Sequence, residues 1–116
     1  MAQKHVLITL NRAPYGSIFY TEGLRAIVGV TSGIDEHTVD VLYAGDGVYF
    51  ALKDVDRSDS NKYLGTLAGQ GVKLSVEKEA LEERNIDRAD LAGDVQIISR
   101  AQALELVRKA DLTIDF

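Results

Sequence analysis

Chemistry in this chain has to come from a short list of side chains, because cysteine is absent from all 116 residues. That absence removes disulfides, thiolate metal sites and a thiol nucleophile together. Three places remain where residue type and spacing could do chemistry. Asn11, Arg12, Tyr15, Gly16 and Ser17 form a polar loop ahead of a helical pattern. Free N–H groups at a helix start, with Arg12 beside them, could receive an anion. The loop matches neither a dinucleotide fingerprint nor a phosphate-binding P-loop, and Ser17 reads equally well as a plain N-cap.

Asp46 stands between Gly45 and Gly47 and is the second candidate. A carboxylate there could serve as a general base or metal ligand, or it could form an Asx turn that caps the next helix. No second acid stands at a defined spacing, so an acid pair does not follow. Glu77, Glu79, Glu82 and Glu83 make the third place. They could hold a cation, or they could form a solvated helix face with Glu77 and Glu79 in its first turn. In that face Lys78 pairs with Glu82 at i,i+4. His5 and His37 are dispersed and read as solvated, so no metal is expected. A G-x-S-x-G elbow is missing, which leaves a serine triad without its local signature.

The elements that must position these residues follow from periodicity. Val6–Leu10 is a continuous apolar run, as in a strand buried on both faces. Further strands are expected at 39–44, 72–76, 95–98 and 112–114. Helical patterns lie between them at 17–31, 48–52, 63–69, 77–84 and 99–110. Ser99 with Gln102 spells a capping box, and Leu104 and Val107 are the expected buried face of the last helix. Strands alternating with helices predict one domain over residues 1–116. It is an α/β fold, a three-layer α/β/α sandwich on a mostly parallel five-stranded sheet.

In such sheets ligands favour the crevice beyond the carboxyl ends of the strands. That rule gathers Asn11 to Ser17, Asp46–Gly47 and Glu77 at one end. An apolar content of 46% with 27% charged residues fits a globular fold, and the net charge is −5. Lysines and arginines are scattered singly, which argues against nucleic-acid binding. No stretch approaches the roughly 20 apolar residues of a membrane span, and no export signal is visible, so a cytoplasmic location is expected. Tyr49, Phe50, Tyr63 and Leu64 are candidates for an exposed apolar patch that would mark self-association.

Several short motifs run in order along the chain. They are Ala13-Pro14-Tyr15-Gly16, Glu22-Gly23-Leu24, Asp46-Gly47-Val48, Leu81 to Asp87, and the tail Leu112 to Phe116. In this series the chain resembles the DsrE/DsrF family of sulfur-relay proteins, most of all its DsrF/TusC branch. The resemblance implies a three-layer fold, trimers or hexamers of related subunits, and the handing of persulfide sulfur between proteins. It also implies a sulfur-receiving cysteine just after the third strand, and Glu77 stands at that position here. The resulting expectation is an accessory subunit, non-catalytic on its own and without a cofactor. Its partners would be a cysteine-bearing DsrE-like paralogue, further copies of itself, or both. Two other expectations stay beside it: a homo-oligomeric protein that binds a small anion or nucleotide in the crevice, and an enzyme using Asp46 or Glu77.

Overall fold

In the computed structural model the described residues are 4–12, 22–23, 25–26, 29, 38–53, 72–93 and 95–116. Five strands form one sheet: β1 (His5–Leu10), β2 (Thr38–Tyr43), β3 (Lys73–Glu77), β4 (Val95–Ile98) and β5 (Leu112–Asp115). Their order is β4-β3-β2-β1-β5, and all four pairings are parallel. A 3₁₀ helix, Gly45–Ala51, follows β2; helix α1 (Lys78–Glu83) follows β3; a short 3₁₀ turn, Arg88–Asp90, precedes β4; and helix α2 (Arg100–Lys109) joins β4 to β5. Residues 22–23, 25–26 and 29 are also helical, within the helix expected at 17–31. Tyr63 and Leu64, with the helix expected around them, lie outside the described residues.

Parallel strands need crossovers, and those crossovers must cover both faces of the sheet. The connections from β1 through β4 step along the sheet in one direction. The last one returns past three strands, so the right-handed rule sends α2 to the opposite face. Burial follows this division. Val6, Ile8, Leu10, Val39, Val41, Tyr43, Leu74 and Val76 pack with Val48, Ala51, Ala80 and Leu81 on one face. Leu7, Leu42 and Ile98 meet Ala103 of α2 on the other. Helices on both faces make the expected three layers, and the sheet is wholly rather than mostly parallel.

Polar groups on the α2 face are handled in pairs. Ser75 of β3 is buried and accepts a hydrogen bond of 2.9 Å from Gln96, its register partner on β4. His5 Nε2 lies 2.7 Å from Asp40 Oδ2 across β1 and β2. His5 is therefore not the solvated residue expected, because parallel pairing puts both side chains on the same face. His37 lies outside the described residues.

Helix α2 begins with the expected capping box: the Ser99 side chain accepts from the Gln102 N–H, and Gln102 accepts from the Ser99 N–H. Its inner face differs from expectation. Ala103 is buried and Leu106 and Ala110 pack beside it, whereas Leu104 and Val107 are 60% and 47% exposed. Small residues let the helix lie close to the sheet, and that rotation turns the larger apolar ones outward.

Gly47 is where backbone approaches backbone. A side chain there would collide with the carbonyl oxygen of Leu10 as the 3₁₀ helix crosses the end of β1. At Gly93 an added Cβ meets nothing within 4 Å. Gly47→Ala is expected to cost about 3 kcal/mol, the upper end of overpacking, because main chain cannot move aside as a side chain can. Gly93→Ala should stay within about 0.5 kcal/mol. Urea denaturation of both variants checks this. Equal midpoints would show that the end of β1 has room to yield.

Candidate functional site

The carboxyl ends of β2, β3 and β4 open into the Gly45–Ala51 helix, α1 and α2, so side chains from all three meet at one end of the sheet. Register does the positioning. Glu77 ends β3 directly beside Ile98, which ends β4. Two residues further on, Arg100 opens α2 and reaches back over Glu77. Arg100 Nε and Nη2 donate to Glu77 Oε1 at 3.0 and 2.7 Å, and Nη2 also donates to Glu83 Oε1 at 3.2 Å. The Arg100 backbone N–H donates to both Glu79 oxygens, at 2.9 and 3.0 Å. An anion thus already sits at the start of α2, and the chain itself supplies it.

The network continues across α1. Glu83 Oε2 lies 3.6 Å from Arg84 Nη1. Arg84 Nε and Nη2 donate to Asp46 Oδ1 at 3.2 and 3.0 Å, and Nη1 donates to the Ala80 carbonyl at 3.1 Å. Asp46, Arg84, Glu83, Arg100 and Glu77 therefore alternate in sign from the end of β2 to the start of α2. The Arg100 guanidinium is held above its ordinary pKa, first by its hydrogen bond to Glu77 and then by that to Glu83. It remains a fixed cation.

Two expectations are corrected here. Asp46 does not cap the 3₁₀ helix: Ala44 is the N-cap residue, Asp46 stands within the first turn, and its carboxylate turns to Arg84. Glu77 is not in the first turn of α1. It is the N-cap residue, makes no capping bond, and points to Arg100 instead. A guanidinium offers charge and directed N–H groups together, which outcompetes a single backbone N–H. The expected Lys78–Glu82 pair does form, at 3.7 Å on the outer face.

Of the first loop, Asn11 and Arg12 are described. The Asn11 N–H donates to the Phe116 carbonyl at 2.8 Å. Arg12 is engaged within the chain. Tyr15, Gly16 and Ser17 lie outside the described residues. Gly45, with φ of 52°, brings the loop after β2 against the Asn11 carbonyl, so the first two loops do adjoin. Tyr49 is exposed, as the proposed apolar patch requires.

Arg84 and Arg100 are the residues that sequence reasoning passed over. Arg100 stands 23 positions from Glu77, and only strand register brings them together. As chemistry, the cluster holds no thiol, and each of these carboxylates has at least one oxygen on a guanidinium or backbone donor. It is built to fix three loops relative to one another.

An α/β/α sandwich on a five-stranded parallel sheet, with such a cluster beyond its carboxyl ends, defines the class. The chain belongs to the DsrE/DsrF-like family, whose model matches residues 4–116. It is similar to a protein named "Protein TusC homolog" from Vibrio parahaemolyticus serotype O3:K6. That relative is 30% identical over 110 residues, spanning 90% of this chain and 92% of the relative. Among solved structures it resembles the YchN protein from E. coli, with a TM-score of 0.82 and 22% identity over 99% of this chain and 100% of that one. It also resembles MTH1491 from Methanobacterium thermoautotrophicum, a protein of unknown function, with a TM-score of 0.79 and 16% identity over 98% and 100%. At these identities the structural likenesses speak for the fold.

The two arms of the network differ in exposure. The Glu77 side chain is 12% exposed and that of Asp46 is 60%. Asp46→Ala should cost about 0–1 kcal/mol, as exposed pairs do. Arg100→Ala should lower the melting temperature further, because it leaves a sheltered carboxylate with no cation. Thermal unfolding of both variants tests the ranking; equal losses would mean that water already reaches Glu77.

Proposed function

We propose that this protein is an accessory subunit of a sulfur-relay assembly, one that contributes surface and a fixed crevice wall while a cysteine-bearing relative carries the sulfur. The observation that carries this reading is Glu77. It ends β3, where the resemblance to the family's carriers puts the persulfide-forming cysteine, and it is sheltered and clamped by Arg100. A carboxylate cannot form a persulfide, and this chain has no cysteine elsewhere. Membership of the DsrE/DsrF-like family and the likeness to a TusC homolog support the sulfur-relay class. A cytoplasmic setting, where related chains can pair, belongs to the same reading.

The experiment is a reconstituted transfer. A cysteine-bearing family member is loaded with labelled sulfur, and its discharge to an acceptor thiol is followed with and without this protein. An accessory subunit should co-purify with the carrier, change the discharge rate several-fold and never carry label itself. Absence of a complex, or a discharge rate indifferent to this protein, would remove the proposal.

A second prediction concerns the geometry of the position. Glu77→Cys places a thiol where Arg100 now holds a carboxylate. A free thiol has a pKa near 8.5, and neighbouring cations bring it to about 7.5 or lower. Alkylation rate against pH should show a depressed midpoint for this variant and an ordinary one for Glu82→Cys on the exposed face of α1. Combining Glu77→Cys with Arg100→Ala should move the midpoint back up. If position 77 titrates like the control, Arg100 does not form an anion site there.

A further inference from the structure

Asp46-Gly47 is the one Asp-Gly step in the chain, and no Asn-Gly step occurs. Such a step is chemically labile, because a glycine puts no side chain in the way of its own nitrogen. The Gly47 nitrogen can attack Asp46 Cγ, forming an N–Cγ bond as its proton and the carboxyl hydroxyl leave together as water. The five-membered imide then takes water back. Addition at Cγ restores aspartate. Addition at the original peptide carbonyl breaks that C–N bond and leaves the chain running through Cβ and Cγ, as isoaspartate.

Packing keeps the labile step in place, since any larger residue at position 47 would drive its side chain into the Leu10 carbonyl. The local geometry also restrains it. The Gly47 N–H donates to the Ala44 carbonyl at 2.9 Å. Gly45 has a φ of 52°, and Asp46 does not share that sign, because Asn85 is the one non-glycine with positive φ among the described residues. A turn whose first central residue alone has positive φ is type II′, and here it opens the 3₁₀ helix. Asp46 then has a ψ of about 0 to −30°. Ring closure needs the Gly47 nitrogen eclipsed with Asp46 Cβ about the Cα–C bond, roughly a quarter turn from that ψ. Arg84 adds a second restraint. Its Nε and Nη2 hold Asp46 Oδ1 at 3.2 and 3.0 Å while its Nη1 is tied to the Ala80 carbonyl, so the carboxyl is anchored to α1. The Asp46 side chain is 60% exposed, so water is at hand and conformation limits the reaction.

We propose that Asp46 is a site of isoaspartate formation in this protein, held in check by the Ala44–Gly47 turn and by Arg84. Opening of the turn, with loss of the Arg84 pair, is the step that releases the reaction. The product adds one main-chain atom where Gly47 already lies against Leu10, so the modified loop cannot close again in its present form. It also moves the free carboxylate from Cβ to Cα, away from the place where Arg84 receives it. A free α-carboxylate of this kind is the group that isoaspartyl methyltransferases recognise and esterify. This inference stands apart from the sulfur-relay reading.

The test ages the full chain in warm, mildly acidic buffer as folded parent, parent in urea, Arg84→Ala and Leu106→Ala. Leu106→Ala costs stability on the far face of the sheet, where Leu106 packs against the cluster around Ala103, and leaves the turn untouched. Isoaspartate is read by enzymatic methyl transfer from S-adenosylmethionine and located by electron-transfer fragmentation of the digested peptide. The urea sample should accumulate it at residue 46 fastest. Arg84→Ala should form it several-fold faster than the folded parent, and Leu106→Ala at close to the parent rate. Asp46→Glu, whose ring would have six members, should show none at this position. Absence of isoaspartate at residue 46 in urea overturns the proposal, as does a folded parent that matches the urea sample. Methyl uptake undiminished in Asp46→Glu would place the modified residue elsewhere. Arg84→Ala at the parent rate removes the restraint assigned to Arg84. Equal acceleration by Leu106→Ala and Arg84→Ala would make global unfolding, rather than the turn, the controlling step, and the gate would fall.

Discussion

The return of the chain from β4 to β5 organises the molecule. Parallel strands cannot be joined by a hairpin, so this last connection must travel back across the sheet, and handedness sends it over the face that the earlier connections leave bare. Three consequences follow from that passage. The second face acquires its cover in α2. The start of α2 comes to the carboxyl end of β3, which sets Arg100 above Glu77. The sheet is left with β4 and β5 as its margins.

The cluster at the carboxyl ends then reads as electrostatics organised by topology. Glu79 satisfies the first free N–H of α2, and Glu77 and Glu83 neutralise Arg100. Ion pairs of this kind are worth little when fully exposed and more when one member is sheltered. By that measure the Glu77 end anchors the network, and the Asp46 end mainly sets the approach of the loop after β2.

Membership of the DsrE/DsrF-like family joins this geometry to a biological class without making the chain a carrier. The fold keeps a cation poised over a strand end, an arrangement that suits an anionic sulfur species, while the side chain beneath that cation is a carboxylate.

Much of this was already legible in the residues. The apolar run of β1, the five strands, the Ser99–Gln102 capping box and the Lys78–Glu82 pair are local, and local patterns need no knowledge of neighbours. The lack of cysteine was equally local, whereas local pattern places Glu77 in a first helical turn and the structure ends β3 on it. Long-range placement was not legible. Leu104 and Val107 are large and apolar, which predicts them in the core, yet Ala103 seats the helix, since close approach to the sheet favours the smaller residue. Local grounds leave Asp46 as base, metal ligand or cap, because its actual partner Arg84 lies 38 residues away. The sequence alone determined the strands, the missing nucleophile and the family series. The tertiary structure decided which face α2 covers, which arginine meets which carboxylate, and which strands stand at the margins. Those outcomes depend on strand order and register, and these are set by burial summed over the whole sheet rather than by any short stretch of chain.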